Sequence, residues 1–245
     1  MAALDIVIPV FNEGENILKV FAALKAEVRT PFRVLICYDF TDDDTLSALA
    51  GADHGVEVLL VKNPARGPHA AVRAGLAAST APAVLVYMAD DDFNADIIDR
   101  MVELHRQGCD VVAASRFVKG GCMVGCAPFK EAVTRVADFT LYHLCGMKVH
   151  DATNGFRLFS RRVVDTIEIE SQLGFTYAIE LLAKTVRLGW PVAEVPAKWF
   201  ERSDKPSRFQ VIRWIPRYLR WLFYGLATVW LRRGPSTVKR KNPAR

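Results

Sequence analysis

The strongest chemical signal in this 245-residue chain is Asp90–Asp92, three consecutive carboxylates that follow the apolar stretch 84–87. Neighbouring negative charges repel each other by about 4 kcal/mol per pair at 4 Å in a surface-like dielectric. A bound cation would relieve this repulsion. Carboxylate oxygens are preferred ligands of Mg²⁺ and Mn²⁺, and protein-bound Mg²⁺ is usually shared with substrate phosphates. The triplet therefore indicates either a divalent-cation site or, more simply, a solvated acidic turn.

The elements around the triplet alternate between short apolar runs and amphipathic stretches. The pattern predicts strands at 6–8, 32–38, 56–61, 84–88 and 111–114, with helices near 15–28, 70–78 and 95–106. Continuous apolar strands joined by helices predict an α/β fold with a mostly parallel sheet covered on both faces. Ligands of such folds bind beyond the carboxyl ends of the strands. Asp39, Arg66 and Asp90–Asp92 fall at or just after those ends, so we expect them to converge on one crevice.

Two common nucleotide-binding signatures are missing from the sequence. There is no GxGxxG after the first predicted strand and no GxxxxGK[ST] anywhere in the chain. Their absence argues against a dinucleotide-binding Rossmann enzyme and against a P-loop NTPase.

Several segments together resemble family 2 glycosyltransferases, which have the GT-A nucleotide-sugar fold. Residues 6–13 (IVIPVFNE) are similar to the opening strand of that family, and residues 38–45 are similar to its aspartate loop, with Tyr38 in place of the first aspartate. Residues 66–75 resemble its RG-x-x-x-A-x-x-x-G helix. Asp90 falls where these enzymes carry their metal-binding DxD motif.

The resemblance is closer to the dolichol-phosphate mannose synthase and polyprenyl-phosphate glycosyltransferase subgroup, and it covers about residues 4 to 225. It includes 115–121 (SRFVKGG), 151–159 (DATNGFRLF) and the later elements GF, EL, EVP and R…SR between 174 and 208. Two positions depart from the subgroup's pattern. Arg208 stands in place of a lysine, and residues 90–94 read DDDFN where the mannosyl-transferring members have DADLQ.

The resemblance implies roles for the donor-side residues. Asp90 and Asp92, with Asp91 as the alternative partner, would hold Mg²⁺ or Mn²⁺, and the cation would neutralise the departing nucleoside diphosphate. Residues at the nucleoside end would contact base and ribose, and Arg66 would also bind substrate. These nucleoside-end residues are Pro9, Asn12, Glu13 and Asp39. For Asn12 and Glu13, a loop and helix cap is the simpler alternative.

The downstream basic residues would hold two anions, the diphosphate and the acceptor phosphate, within attacking distance. We assign this role to Arg116, Lys119, Arg157, Arg202 and Arg208, with Ser207 in the last motif; Arg116 and Arg157 are the candidate catalytic residues. A polyprenyl phosphate is already ionised and is itself the nucleophile, so a dedicated base is less necessary. Asp151 would orient Arg157, or act as a base for a hydroxyl acceptor. Glu180 would be either a buried partner of an arginine or part of the acceptor site.

The C-terminal region differs from the rest in charge. The net charge of +5 combines +11 from residue 198 onward with −6 from the first 197 residues. We expect a GT-A catalytic domain at 1–208, an amphipathic helical segment at 209–233 and a flexible basic tail at 234–245. The helical segment has an apolar stripe with arginines and aromatic residues nearby, which suits an anionic membrane surface. Packing of the helix on the body or on another subunit is the alternative.

The sequence also indicates a location and a reaction. No apolar run approaches the 18 residues of a spanning helix, and the first residues lack a secretory pattern, so we expect peripheral attachment at the cytoplasmic membrane face. The resemblance implies metal-dependent, inverting transfer of a hexose from GDP-mannose or a UDP-hexose to dolichyl or undecaprenyl phosphate. One alternative is transfer to a glycan or small-molecule hydroxyl in cell-envelope biosynthesis. Nucleic-acid binding by the basic tail is disfavoured because the body is acidic and no nucleic-acid motif is present.

Overall fold

The computed structural model describes residues 2–50, 54–201 and 211–241, with no side chains described for 211–215. The strands of the described residues are β1 (Leu4–Pro9), β2 (Phe32–Tyr38), β3 (Glu57–Lys62), β4 (Ala83–Val86), β5 (Val111–Ser115), β6 (Cys122–Val124), β7 (Arg157–Ser160), β8 (Val192–Pro196) and β9 (Lys198–Phe200). The α-helices are α1 (Asn16–Glu27), α2 (Asp44–Leu49), α3 (Pro68–Ala78), α4 (Ile98–Arg106), α5 (Pro128–His143), α6 (Arg161–Thr166), α7 (Thr176–Arg187) and α8 (Val211–Val229).

Seven of these strands form the central sheet, in the order β3-β2-β1-β4-β7-β5-β8, while β6 and β9 pair separately in parallel. Strand β7 runs antiparallel to both of its neighbours, β4 and β5, and the other pairs in the sheet are parallel. The predicted α/β fold with a mostly parallel sheet is therefore confirmed. The antiparallel insertion of β7 was not predicted, because a four-residue strand that begins with an arginine lacks a clear apolar pattern.

Helices cover both faces of the sheet and produce two apolar cores. One core includes residues of α3, α7 and α8, and the other includes residues of α1 and α4. Helix α3 lies very close to β1 at Gly75. A Cβ atom added there would overlap Val7 Cγ1 and lie 2.7 Å from Cys37 Sγ. Only a glycine leaves room for this approach.

Helix α8 packs on the body and is fixed there by both apolar and polar contacts. Trp221 is 1% exposed, and the Arg187 guanidinium of α7 donates to the Tyr224 backbone oxygen and to Thr228 Oγ1. Trp230 Nε1 also donates to the Leu144 backbone oxygen at 3.0 Å. One face of α8 therefore packs on the body, which is the alternative that the sequence left open for this segment.

Residues 234–241, predicted as part of a flexible tail, pair with the body instead. The Glu168 N–H donates to the Lys239 oxygen, the Lys241 N–H donates to the Thr166 oxygen, and Ile167 forms an antiparallel bridge with Arg240. The prediction of a flexible tail differs from the structure because these residues pair through their backbone. The polar composition of the segment gives no sign of such pairing.

The outer faces of α5 and α8 carry exposed apolar side chains. Phe129, Val136 and Phe139 of α5 and Phe223 of α8 are each more than 60% exposed, as is Trp230 just after α8. Within the described part of the chain, no helix is both long enough and apolar enough to cross a membrane.

Candidate active site

The acidic loop follows β4, the central parallel strand, and its three carboxylates point in different directions. Asp91 is buried, whereas Asp90 and Asp92 are exposed. Asp91 Oδ1 accepts the N–H groups of Phe93 and Asn94 at 3.2 and 3.0 Å, and its Oδ2 accepts Asn94 Nδ2 at 2.7 Å. Burial raises the pKa of Asp91 to about 6, although these hydrogen bonds oppose the shift. Asp91 thus shapes the loop, and Asp90 and Asp92 face the solvent.

Asn94 joins the acidic loop to β9. Its Oδ1 accepts the Lys198 N–H at 2.8 Å, and its Nδ2 donates to the Lys198 backbone oxygen at 2.9 Å. Because Asn94 is only 2% exposed, this amide is fully engaged inside the protein. No sequence motif singled out Asn94, since its partner is 104 residues away.

At the end of β2, Asp39 organises the loop that leads into α3. Its Oδ1 accepts Asn63 Nδ2 and its Oδ2 accepts the Gly67 N–H, each at 2.7 Å. Gly67 has a φ of +87°, in the left-handed region that favours glycine. Asp39 lies at the predicted crevice, but its carboxylate accepts hydrogen bonds from Asn63 and Gly67 of the loop before α3. Its assignment to base and ribose contacts stays a prediction.

The loop at 12–14 is held by side chains of the 43–45 segment. The Asn12 N–H donates to Asp43 Oδ2, the Glu13 N–H to Thr45 Oγ1, and the Gly14 N–H to Asp44 Oδ1. Asn12 is exposed with a φ of +52°, and Glu13 and Pro9 are half-buried. The structure therefore brings Pro9, Asn12, Glu13 and Asp39 to the same edge of the sheet. Asp43 and Thr45 hold this loop by accepting its backbone N–H groups.

Arg66 lies at this edge beside two aromatic rings. Its guanidinium carbon is 5.0 Å from the centre of the Phe40 ring, and Phe40 meets Phe11 edge-to-face at 6.4 Å. Phe11 is 50% exposed. These groups present a cationic and aromatic surface beside the loop at 12–14, and sequence reasoning assigned no role to Phe11 or Phe40.

The basic side of the site centres on Arg116, which follows β5. Arg116 Nε and Nη2 donate to the two carboxylate oxygens of Asp151 at 2.6 and 2.8 Å, and Nη2 also donates to Thr153 Oγ1 at 3.1 Å. Arg116 Nη1 has a weaker contact, 3.8 Å from Met123 Sδ. Burial would raise the pKa of Asp151, but the charge and hydrogen bonds of Arg116 outweigh it and lower that pKa. Asp151 thus orients Arg116, whereas the sequence had suggested Arg157 as its partner.

Arg157 and Glu180 lie inside the protein, away from the crevice. Arg157 is 0% exposed and donates to the backbone oxygens of Ala178 and Asp151 at 2.6 and 3.1 Å. Glu180, also 0% exposed, pairs with Lys184 at 2.6 Å. Direct contact of Arg157 with a substrate phosphate does not fit this geometry, because its side chain points from β7 towards α7. The partner of Glu180 is a lysine rather than an arginine.

Four candidate substrate-binding residues remain, one of them described and three later in the chain. Lys119 is exposed in the turn after β5. Arg202, Ser207 and Arg208 lie outside the described residues, so their assignments stay predictions.

An apolar groove of about 650 Å³ lies between α5 and α8. Its outer part is lined by apolar side chains of both helices, and its inner end by polar residues of the site. The outer residues include Phe129, Val133, Val136, Leu219 and Leu222, and the inner ones include Asp91, Asn94, Arg116, Thr153 and Lys198. The groove therefore connects the exposed apolar surface of α5 and α8 with Arg116 and the acidic loop. The sequence did not predict α5 and so gave no sign of this groove.

Comparison with known proteins gives three findings. A sequence model of glycosyl transferase family 2 matches residues 5–168. An undecaprenyl-phosphate mannosyltransferase of Micrococcus luteus is 29% identical over 237 residues, covering 91% of this chain and 94% of the relative. A dolichyl-phosphate hexose transferase of Haloferax volcanii is 28% identical over 206 residues, covering 82% and 85% of the two chains.

Solved structures add a further comparison. A glucosyl-3-phosphoglycerate synthase of Mycobacterium tuberculosis, crystallised with Mn²⁺, UDP and glucosyl-3-phosphoglycerate, superimposes with a TM-score of 0.64. It is 20% identical in sequence, and the alignment covers 93% of this chain and 79% of the synthase. At this level of identity, the likeness shows a shared fold.

Proposed function

Since the chain belongs to glycosyltransferase family 2, we propose that it transfers a hexose from a nucleotide sugar to a polyprenyl phosphate, with a divalent cation held by Asp90 and Asp92. One observation carries this proposal, namely the apolar groove between α5 and α8 that ends at Arg116 and the acidic loop. An isoprenyl chain matches the apolar outer part of the groove, and its phosphate matches the cationic inner end. Two relatives named for transfer to undecaprenyl phosphate and dolichyl phosphate support this acceptor class.

The chemistry of the acidic loop fits a hard divalent cation. Asp90 and Asp92 are exposed carboxylates at the carboxyl end of a central strand, and Asp91 is occupied by its own loop. Among the described residues, no group of three or more His, Cys, Asp or Glu side chains is arranged to hold a metal ion. Two carboxylates suit Mg²⁺ or Mn²⁺ that completes its coordination with water and substrate phosphates. When bound, such a cation supplies Lewis-acid stabilisation to the departing diphosphate.

Arg116 is the residue that we propose to hold the acceptor phosphate. Its Nε and Nη2 are fixed by Asp151, and among the described residues its Nη1 makes the weak 3.8 Å contact with Met123 Sδ. The fixed guanidinium would thus offer Nη1 to an acceptor oxygen without reorganising, which is the arrangement that lowers a barrier by positioning. The acceptor phosphate is its own nucleophile, so no protein base is required. Lys119, Arg66 and the residues at 202–208 would add positive charge for the donor diphosphate.

Transfer to a hydroxyl acceptor, with Asp151 as base, has less support. A general base needs a pKa near the working pH and access to the proton that it removes. Asp151 is 0% exposed, is held by Arg116 through both oxygens and has a lowered pKa. These properties suit a carboxylate that orients an arginine.

The activity is tested with a panel of radiolabelled nucleotide sugars and undecaprenyl or dolichyl phosphate, with Mn²⁺ or with EDTA. We expect label from one donor in a lipid-extractable, acid-labile product, only when the metal is present. Asp90→Asn should lower the rate at least about a hundredfold, as loss of a key electrostatic group does. The matched control is Asp165→Asn, because Asp165 is an exposed carboxylate far along the chain in α6.

Two results would count against the proposal. Transfer of label to a soluble hydroxyl acceptor, with none to lipid phosphate, would favour the hydroxyl alternative. Full activity of Asp90→Asn with unchanged Mn²⁺ dependence would move the cation site elsewhere.

Attachment to an anionic membrane surface at the cytoplasmic face is part of the same proposal. The exposed apolar side chains of α5 and α8 flank the groove, and aromatic residues beside basic ones suit a membrane interface. We expect the wild-type chain to sediment with phosphatidylglycerol-containing vesicles, and the double variant Phe139→Ser/Phe223→Ser to sediment less. Leu60→Ser is the matched control, because Leu60 is 51% exposed on the edge strand β3. Equal sedimentation of the double variant and wild type would contradict this surface.

A further inference from the structure

Two buried carboxyl groups lie on either side of one hydroxyl at the inner end of the groove. Thr153 Oγ1 is 3.0 Å from Asp138 Oδ2 and 3.4 Å from Asp151 Oδ1. Asp138 is 2% exposed and Asp151 is 0% exposed. A threonine hydroxyl has a single proton and cannot donate to both carboxylates at once. Both contacts are hydrogen bonds only if one of the two carboxyls is itself protonated.

The hydroxyl and its neighbours suggest which carboxyl holds this proton. Arg116 donates to both oxygens of Asp151, which stabilises the ionised form of that group. Among the described residues, the groups within hydrogen-bond distance of Asp138 are neutral, the Ala152 N–H at 2.9 Å and the Thr153 hydroxyl at 3.0 Å. Burial and the negative charge of Asp151 raise the pKa of Asp138 well above its ordinary value. Geometry and electrostatics thus agree that Asp138 is the protonated partner.

The charged and titratable groups near Asp138 come from β5, β7 and α8 and from the loop before β7. Arg116 follows β5, Asp151 precedes β7, and Arg157 belongs to β7; Tyr218 of α8 also faces the cluster. Burial raises the pKa of Tyr218 to about 12, so its hydroxyl is neutral at physiological pH. Two arginines and one ionised aspartate leave the cluster with a net charge of +1. Ionisation of Asp138 would reduce that charge to zero.

We propose that Asp138 is a positioning residue whose bound proton keeps the cluster at Arg116 cationic, so that loss of this proton weakens binding of the acceptor's anionic head group. This inference rests on the proposed function, because the anion in question is the phosphate of a polyprenyl phosphate. Helix α5, which carries Asp138, also lines the groove with Val133 and Val136. The same helix would therefore contact the isoprenyl chain and set the charge at the head group.

The test uses farnesyl sulfate, because its charge stays at −1 over the pH range while that of a phosphate changes. Affinity is measured by calorimetry at intervals from pH 5.5 to 9 for wild type and Asp138→Asn. The asparagine retains an acceptor for the Ala152 N–H and gains an N–H that can donate to Thr153 Oγ1, so it imitates the protonated acid. We expect the ratio of wild-type to variant affinity to fall roughly tenfold from pH 5.5 to pH 9. This factor corresponds to the interaction energy of one additional charge about 10 Å from the ligand at an effective dielectric constant of about 20.

Glu131→Gln is the matched control, since Glu131 lies on the same helix two turns earlier and pairs with Arg135 at 2.8 Å. This variant should keep the wild-type pH profile. Other groups that titrate in this range, such as Asp91, do so equally in all three proteins and cancel in the ratios. The ¹³C resonance of the Asp138 carboxyl in the folded wild type, assigned through its own backbone, gives a second measurement that needs no stable variant, and it should titrate well above the ordinary range of an aspartate.

The outcomes separate this inference from the proposed function. Binding of farnesyl sulfate with the same pH profile in wild type and Asp138→Asn would overturn the role of Asp138 alone. An Asp138 carboxyl resonance that titrates in the ordinary range of an aspartate would overturn it as well. Failure of wild type to bind farnesyl sulfate or farnesyl phosphate at any pH would contradict the lipid-phosphate acceptor itself.

Discussion

The acidic loop yields a prediction that separates a structural carboxylate from a ligand-binding one. Asp91→Ala should destabilise the protein while leaving the proposed cation ligands in place, and Asp92→Ala should do the reverse. The reason is the difference in burial, since Asp91 is 7% exposed and Asp92 is exposed. The two variants remove the same chemical group from adjacent positions, so each serves as the control for the other.

The expected loss of stability follows from the contacts of Asp91. Its carboxyl group accepts hydrogen bonds of 2.7–3.2 Å from the Phe93 N–H, the Asn94 N–H and Asn94 Nδ2, and leaving these three donors without a partner costs about 5 kcal/mol, at nearly 2 kcal/mol each. Removing the buried charge recovers part of this. A pKa raised from 3.8 to about 6 means that the ionised group destabilises the fold by about 3 kcal/mol at pH 7. The net destabilisation is therefore about 2 kcal/mol at pH 7.

The pH dependence of this difference has a definite sign. Because the folded pKa of Asp91 is raised, the cost of its charge is complete above pH 6 and disappears as the pH falls towards 4. At pH 5 about half of this cost is absent, which makes the wild type more stable. Asp91→Ala should therefore be about 3 to 4 kcal/mol less stable than wild type at pH 5. Asp92→Ala should stay within about 0.5 kcal/mol of wild type at both pH values.

Two assays check the prediction. Chemical denaturation at pH 5 and pH 7 gives the stability differences, and the melting temperature of Asp91→Ala should be roughly 4–8 °C lower at pH 7 for a chain of this size. Electron paramagnetic resonance of Mn²⁺ in the presence of UDP or GDP gives cation binding, which should weaken in Asp92→Ala only. The reasoning is refuted if Asp91→Ala keeps wild-type stability but loses Mn²⁺ binding, since Asp91 would then be the metal ligand.

Three further predictions concern packing and charge. Trp221→Ala should lower the free energy of unfolding by about 3–5 kcal/mol, because the ring is 1% exposed where α8 meets the body; a loss below about 1 kcal/mol in urea denaturation would mean that α8 is not anchored there. Gly75→Ala should cost about 1–3 kcal/mol, because the new Cβ would overlap Val7, and a melting temperature equal to that of wild type would contradict this close approach. Asp138→Asn should have the stability of wild type near pH 4 and exceed it at pH 8, since a raised folded pKa makes ionisation of Asp138 destabilising as the pH increases; parallel stability curves would show that Asp138 does not titrate abnormally.

Much of the fold could be predicted from local pattern. The strand at 32–38 was predicted with the bounds that the structure gives it, and the other early strands and helices agree to within a few residues. These elements have continuous apolar runs or a helical period, which depend only on neighbouring residues. The short helix α2 and every element from β6 to β9, including α5, α6 and α7, were not predicted. Strand β7 is four residues long, and its antiparallel position between β4 and β5 is decided by partners far away in the chain.

For the candidate site, the sequence determined which kinds of groups are present and the order in which they follow the strands. The motifs around Asp90, Arg116 and Asp151 sufficed to indicate the family, because residue type and spacing are properties of the chain alone. Tertiary structure decided which groups can meet a ligand. Arg116 and Arg157 are alike in sequence terms, yet one lines the groove and the other is buried behind it.

The same division applies to the acidic triplet. The sequence placed three carboxylates after a central strand but left Asp91 and Asp92 as equal candidates to partner Asp90. In the folded chain, Asn94 turns towards Asp91 because its amide is fixed by the backbone of Lys198, and Asp91 turns inward with it. Exposure of a side chain depends on the direction in which its backbone presents it and on partners distant in sequence. Neither can be read from three identical neighbouring residues.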